Sequence, residues 1–289
     1  QRRHLASPRF AGMLADTVRF NRAARRLVRQ SAAGAPDAAS GSLGDFLLRG
    51  GYGPAFRDHY LLPMAAAIWS CPPRTMLEFP AQSFSRFFDN HGLLDLWGRP
   101  RWRTVEGGSR SYVERLTGDL PGRVVSGDPV VGVRRRRTGV QVRLASGAAR
   151  DFDQVVMACH ADEALALIAE PTQVEAALLD AFRYQENRAV LHTDPRLMPR
   201  RQRVWSSWNY LSRGGAAGDA DRCGAVSVTY WMNRLQGFAS PEAVFVSLNP
   251  VLAPRPEHVI AEMTYHHPVF DEHAALAQRH LGDMQGHDR

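Results

Sequence analysis

The chain has 289 residues, 44% of them hydrophobic and 22% charged, which is the composition of a folded globular protein with room for one large domain or two modest ones. All 36 basic residues are arginine and the formal charge is +7, so a Schiff-base lysine is excluded from these residues. The longest uncharged apolar stretch, 60–73, contains Pro63 and is too short to cross a bilayer, and Gln1-Arg2-Arg3-His4 begins no secretory signal.

Ser7-Pro8 reads as a helix cap followed by proline at the first helical position, and Phe10, Met13, Leu14, Val18 and Val28 recur near helical spacing. An amphipathic helix of about six turns is expected there. Residues 31–43 are small and polar, as in an exposed linker. Short helices are expected at 46–49, 54–69 and 83–90, so the first hundred residues are mostly helical. From Val124 the β-branched residues rise. Strands are expected at 124–125, 130–133, 140–144 and around Phe152, with turns at Thr138-Gly139 and Ser146-Gly147, then a buried strand at Val155-Val156-Met157. Helices follow at 162–168 and 173–182, strands at 189–192, 204–210, 226–232 and 244–248, and a helix at 270–281. No internal repeat is visible.

Cys71, Cys159 and Cys223 are odd in number and far apart, which indicates neither a disulfide framework nor a zinc site. They read as reduced thiols of a cytoplasmic protein. Two arginine clusters, one at Arg19, Arg22, Arg25, Arg26 and Arg29 and one at 134–137, read as solvated faces and not as a nucleic-acid footprint. His266-His267 lacks a third ligand at useful spacing, so no metal site is expected. Cys159-His160 has no visible acid partner and does not read as a hydrolase pair.

Val105-Glu106-Gly107-Gly108-Ser109 places a glycine pair ahead of a helix carrying Tyr112, Val113 and Leu116. Such a turn permits close approach of a cofactor, and the helix start offers free N–H groups. Pro129-Val130, the hairpin with Gly139 and Gly147, and the run Phe152 to His160 follow in order. This series resembles the middle of the FAD-dependent amine oxidoreductase superfamily, which includes monoamine oxidase-like, protoporphyrinogen oxidase-like and phytoene desaturase-like enzymes. The resemblance is closest to a bacterial group of NAD/FAD-binding proteins. The segments 205–210, 228–236, 247–250 and 265–270 look like the same group, so the resemblance covers nearly the whole chain.

The resemblance implies an α/β fold, with part of an FAD/NAD(P)-binding domain of the glutathione-reductase-like kind interleaved with an α+β substrate domain. It implies the following division: 1–100 as the mostly helical part of the substrate domain, 101–160 as FAD-binding, 161–260 as the substrate-domain sheet and helices, and 261–289 as a return to the FAD-binding domain. By position, Val130 would meet the adenine, and Gly107, Gly108, Ser109, Ala158 and Cys159 would border FAD. His160 departs from the proline usual at that strand end. Trp208, Tyr230 and Trp231 would line a cavity for a small-molecule or lipid-like substrate, with hydride passing to the flavin. Alternation along the strand places Tyr230 and Trp231 on opposite faces, so at most one of the two lines it. An acyl or isoprenoid desaturase-isomerase and a flavin-less binding module stand as alternatives, and peripheral membrane contact is compatible with a lipid-like substrate. The GxGxxG fingerprint that seats a dinucleotide pyrophosphate is expected ahead of residue 1, and a closing flavin-contacting segment after Arg289. Gly51-Tyr52-Gly53-Pro54 does not replace the fingerprint, since no strand precedes it.

Overall fold

The computed structural model describes residues 7–32, 41–99, 101, 103–118, 120, 124–212 and 226–285. Most of the expected linker, together with Trp102, Cys223 and the extreme ends, lies outside the described residues. The chain divides into two compact units, one of Gln1–Ser111 with Gln185–His267 and the other of Tyr112–Tyr184 with Pro268–Arg289.

In the first unit, helix α1 (Pro8–Ala32) starts where the Ser7 hydroxyl accepts the Phe10 N–H at 3.2 Å. Its buried stripe is Thr17, Phe20, Asn21 and Ala24, one step around from the expected one, and Leu14 is 49% exposed. Two polar residues can enter the core because each is satisfied there. Thr17 Oγ1 donates to the Met13 carbonyl at 2.9 Å, and Asn21 Nδ2 donates to the Leu94 carbonyl at 2.8 Å. Hydrophobicity alone misphases such a helix. On its outer face Arg25 is paired with Asp89 and Asp95, and Arg19 donates to Asp16 and to the Gly50 carbonyl while lying over the Tyr52 ring. These two arginines serve the fold.

Helix α2 (Leu43–Arg49) opens with a capping box in which Ser42 and Asp45 exchange hydrogen bonds. Helix α3 (Pro54–Phe56) runs through a π-helical turn (Arg57–Leu61) into α4 (Leu62–Trp69). Pro63 gives the reason: it lacks an N–H for the preceding turn and its ring crowds the carbonyl four residues back, so the ladder widens there. A short α5 (Pro73–Leu77), which the sequence reading lacks, and α6 (Ala81–Asn90) complete the layer. The core between these helices is aromatic, built on Phe20, Phe56, Phe84 and Phe88. Helix α7 (Ser109–Gly118) buries none of its residues.

The second unit carries a three-stranded antiparallel sheet of β1 (Val130–Arg136), β2 (Gly139–Leu144) and β3 (Ala149–Phe152). Gly139 sits at φ +129, and a Cβ there would come within 2.4 Å of the Phe152 carbonyl oxygen. Gly139→Ala is therefore expected to destabilise this unit by about 1–3 kcal/mol, read as a lowered denaturant midpoint at unchanged slope. An unchanged midpoint would show that the hairpin relaxes freely. The expected strand at 124–125 does not form; Val124 and Val125 are 58% and 52% exposed and unpaired. Helices α8 (Ala161–Leu167) and α9 (Gln173–Asp180) follow, α8 packing on β1. By their contacts these two helices group with the small sheet in the unit that runs to Tyr184.

The large sheet has the order β5-β6-β7-β4-β8, formed by β4 (Tyr184–His192), β5 (Trp208–Ser212), β6 (Val226–Trp231), β7 (Phe245–Leu248) and β8 (Val259–Pro268). The expected strand from 204 begins only at Trp208, because 202–204 make a 3₁₀ turn. Met232 leaves the strand to open the short α10 (Met232–Gln236), closed by Gly237 at φ +72. Strand β8 was not expected as a ten-residue element, since Val259–Pro268 mixes apolar and polar residues without a run of β-branched ones. Helix α11 (Glu272–His280), capped by Asp271, returns the chain to the second unit.

Candidate cofactor and substrate sites

Gly107 and Gly108 both take left-handed backbone, at φ +80 and +74, immediately ahead of α7. The Gly108 N–H closes the turn on the Val105 carbonyl at 3.0 Å. A Cβ at Gly107 would strike the Ser111 hydroxyl at 2.3 Å, while the space beside Gly108 is open. The turn therefore needs its first glycine for the fold and leaves room for a ligand at the second. Ser109 begins the helix and is exposed. The backbone beside Gly108 is thus open to close approach.

In the second unit Val130 is 38% exposed at the start of β1, where the register with β2 shifts between Val130 and Gly132. Val133 and Val140 line a cavity of 620 Å³, and Val130 does not. Val155, Val156, Met157 and Cys159 line the same cavity. Segment 155–157 was expected to be a buried strand. It joins no sheet among the described residues, and Val156 is 88% exposed. Ala158 is exposed and does not line the cavity, so the structure brings Cys159, but neither Ala158 nor Val130, to this wall.

After this segment His160 precedes α8, its backbone N–H held by Glu163 at 3.1 Å and its ring stacked on Tyr184 with centroids 4.3 Å apart. The Tyr184 hydroxyl accepts the Ala161 N–H at 2.8 Å. This stacked corner takes the place of the proline usual there. Glu175 on the cavity wall pairs with Arg135 and caps α9 with Thr172. Burial opposes its charge, but the Thr172 N–H and Arg135 outweigh it and hold the carboxyl below its ordinary range.

In the large sheet the register sets Trp208 opposite Tyr230, and their rings meet edge to face at 5.5 Å. Trp231 points to the other face, against Trp205 and close to Phe245, as alternation requires. Its indole N–H is buried and has no hydrogen-bond partner, although the perpendicular Trp205 ring lies beside it. Burial raises the Tyr230 pKa above that of a free tyrosine. Ser70 ends α4 at φ 53, ψ 34, a left-handed conformation that costs a non-glycine residue about 1–2 kcal/mol.

A buried polar row crosses the same sheet on the Trp231 side. His192 Nε2 lies 2.8 Å from the Ser247 hydroxyl, which lies 2.7 Å from Thr229 Oγ1. The Asp194 N–H donates to His192 Nδ1 at 3.1 Å, so Nδ1 is the acceptor and Nε2 carries the proton. His192 therefore donates to Ser247 and cannot act as its base. This arrangement holds the strands in register and is not a hydrolytic pair. Cys71 is buried with its thiol 3.1 Å from Met76 Sδ, and burial pushes its pKa up to about 12, so it is inert. Among the described residues no group of three potential metal ligands exists, and no helix is long and apolar enough to cross a membrane.

The chain is thus of mixed α/β architecture, with a glycine turn before a helix and an aromatic pair on the large sheet. The model of the flavin containing amine oxidoreductases matches residues 8–218, and the chain belongs to that family. FAD is its cofactor, and oxidation-reduction its class of chemistry. No curated protein sequence matches the chain. Among solved structures, a CLA-producing fatty acid isomerase from P. acnes is similar over 98% of this chain and 70% of its own, with 14% identity and a TM-score of 0.62. A double mutant of putrescine oxidase is similar over 95% of this chain and 68% of its own, also at 14% identity and TM-score 0.62. The wild-type putrescine oxidase bound to putrescine gives 93%, 67%, 12% and 0.60 for the same quantities. At these identities the likeness is one of fold.

Proposed function

We propose that this chain belongs to an enzyme that oxidises or desaturates a small organic or lipid-like substrate. FAD, when bound, supplies the hydride acceptor. In this reading the Gly107-Gly108-Ser109 turn borders the cofactor, with Val130, Ala158 and Cys159 on the adenine and strand-end side. Trp208 and Tyr230 face the substrate and exclude water from it, while Trp231 supports the sheet from behind. Residues 1–100 and 161–260 serve the substrate domain, and residues 101–160 and 261–289 serve the FAD-binding domain. The protein is read as bacterial and cytoplasmic, with no nucleic-acid partner. Peripheral membrane contact is the route for a lipid-like substrate.

The observation that carries this reading is the paired left-handed glycines with open space beside Gly108, in a chain of the flavin-containing family. A desaturase or isomerase acting on an acyl or isoprenoid chain is the second reading. It is favoured by the absence of lysine from all 289 residues, because many amine oxidases place a lysine near the flavin. The full protein, purified without added cofactor, is expected to show the two absorption bands of oxidised flavin. A colourless protein that also takes up no added FAD would leave a non-catalytic binding module as the better reading.

A further inference from the structure

The small sheet buries Val133, Val140, Val142 and Leu144 on its inner face, and its outer face carries like charges. Register places Arg134 and Arg136 of β1, Gln141 and Arg143 of β2, and Asp151 of β3 on that outer face, where all three arginines are exposed. Arg137 stands exposed in the turn that follows β1. Asp151 is the one acid on the face. It accepts from Gln141 Nε2 at 3.3 Å, while Gln141 Oε1 accepts from Arg136. Among the described residues no carboxylate pairs with Arg134, Arg137 or Arg143. The Arg143 guanidinium lies across Gly132 of the neighbouring strand, with Nη2 3.3 Å from where a Cβ would stand, so the bare backbone there gives it room. Arg134 and Arg143 are diagonal neighbours, about 7–8 Å apart at ordinary sheet geometry, and their like charges repel.

We infer that this face is the surface on which the protein docks to an anionic phospholipid bilayer. The inference gives a place to the membrane contact proposed above, and for its choice of occupant it rests on the reading of a lipid-like substrate. Three observations select a bilayer. The unbalanced charge is all guanidinium, whose planar fork matches phosphate and carboxylate oxygens bidentately. Exposed valines adjoin the Arg143 end: Val124, Val125 and Val131 are 58%, 52% and 44% exposed, and their segment is tied to the β2–β3 turn where Asp128 accepts the Ser146 N–H at 3.0 Å and the Pro129 carbonyl accepts the Ala145 N–H at 2.9 Å. A lipid interface takes up such side chains, and a soluble polyanion has no use for them. The face itself bears no aromatic residue, so it lacks both the stacking platform of a single-strand nucleic-acid site and the aromatic anchors of a protein interface.

Vesicle co-sedimentation of the full protein, loaded with FAD and given no substrate, tests the face. Binding to vesicles of phosphatidylcholine with phosphatidylserine is expected to be at least about tenfold tighter than to phosphatidylcholine alone, and to fall away as salt rises from about 0.1 M to 1 M. Arg134→Gln combined with Arg143→Gln is expected to weaken it by about 25-fold, since each basic residue near an anionic surface contributes about fivefold. Arg22→Gln combined with Arg29→Gln removes the same charge from exposed positions on α1, and is expected to weaken it by less than about threefold. Both double variants are expected to keep the wild-type melting temperature. Equal binding to the two kinds of vesicle, or equal losses from the two double variants, overturns the inference. Tighter binding to duplex DNA than to the anionic vesicles overturns it in favour of a nucleic-acid surface. A colourless protein that takes up no FAD yet binds the vesicles as described would overturn the flavin reading alone, and a yellow protein indifferent to the vesicles would overturn the docking face alone.

Discussion

Replacing Phe20 with alanine is expected to cost about 3–5 kcal/mol, the range for emptying a large aromatic site in a well-packed core. Phe20 is 1% exposed and its ring lies within 5.4–6.3 Å of Phe56, Tyr52, Phe46 and Phe84, contributed by four separate stretches of the helical layer. Three of the pairs meet at steep angles of 70–81°, the edge-to-face geometry that adds to simple burial. No single neighbour can collapse into the space, because each is itself fixed by others: Phe84 stacks on Phe88 at 4.2 Å, and Tyr52 also packs on Phe56. Equilibrium denaturation of Phe20→Ala beside Phe20→Leu provides the measurement, with the leucine variant losing clearly less. A loss below about 1 kcal/mol for the alanine variant would show that the layer repacks, and that the aromatic cluster is not the centre of stability in this unit.

Acidification from pH 7 to pH 4 is expected to remove about 3 kcal/mol through His192 alone. The ring is completely buried, and burial lowers its pKa from 6.5 to about 4 in the folded state. In the unfolded chain the imidazole binds a proton near pH 6.5, where the folded protein does not. The unfolded state therefore gains protons first as pH falls, and stability declines through the window from 6.5 to 4. Below that window both states are protonated and this contribution stays flat. The geometry supports the same sign, since a proton on Nδ1 would face the Asp194 N–H that now donates to it. The charged groups around it are Asp194, which favours protonation, and His258, which opposes it. Asp194 is held in turn by Arg196 and the Arg255 N–H, which keep its carboxyl well below the ordinary range. That second group lends stability above pH 3.8 and loses it at still lower pH, so the two losses are separated on the pH axis. Melting temperatures of wild type and His192→Gln across pH 4–7 distinguish them. The variant should lose the slope between 6.5 and 4, and a wild-type curve that is flat there would show His192 reached by solvent.

Much of the architecture was legible in the residues themselves. The first helix, the Thr138-Gly139 hairpin and the positions of most strands after Ala189 follow from local rules, because each signal lies within a few positions of the structure it produces. Even the opposition of Tyr230 and Trp231 needed only the two-residue repeat of a strand. Segment 155–157 shows the limit of such rules. Val155-Val156-Met157 has strand composition, yet pairing depends on which backbone lies alongside, and composition does not encode that.

The family, the glycine cradle and the aromatic content of the substrate sheet were thus determined by sequence alone, since each is carried by residue types in a fixed order. Only the tertiary structure decided the rest. The burial of Asn21 depends on the Leu94 carbonyl, 73 residues away, which folding brings within reach. The neutrality of His192 depends on complete burial, and its hydrogen-bond partner Ser247 is 55 residues distant in the chain. In each case the group's chemistry comes from a partner remote in sequence, and a contact between remote residues leaves no periodicity or spacing in a single chain.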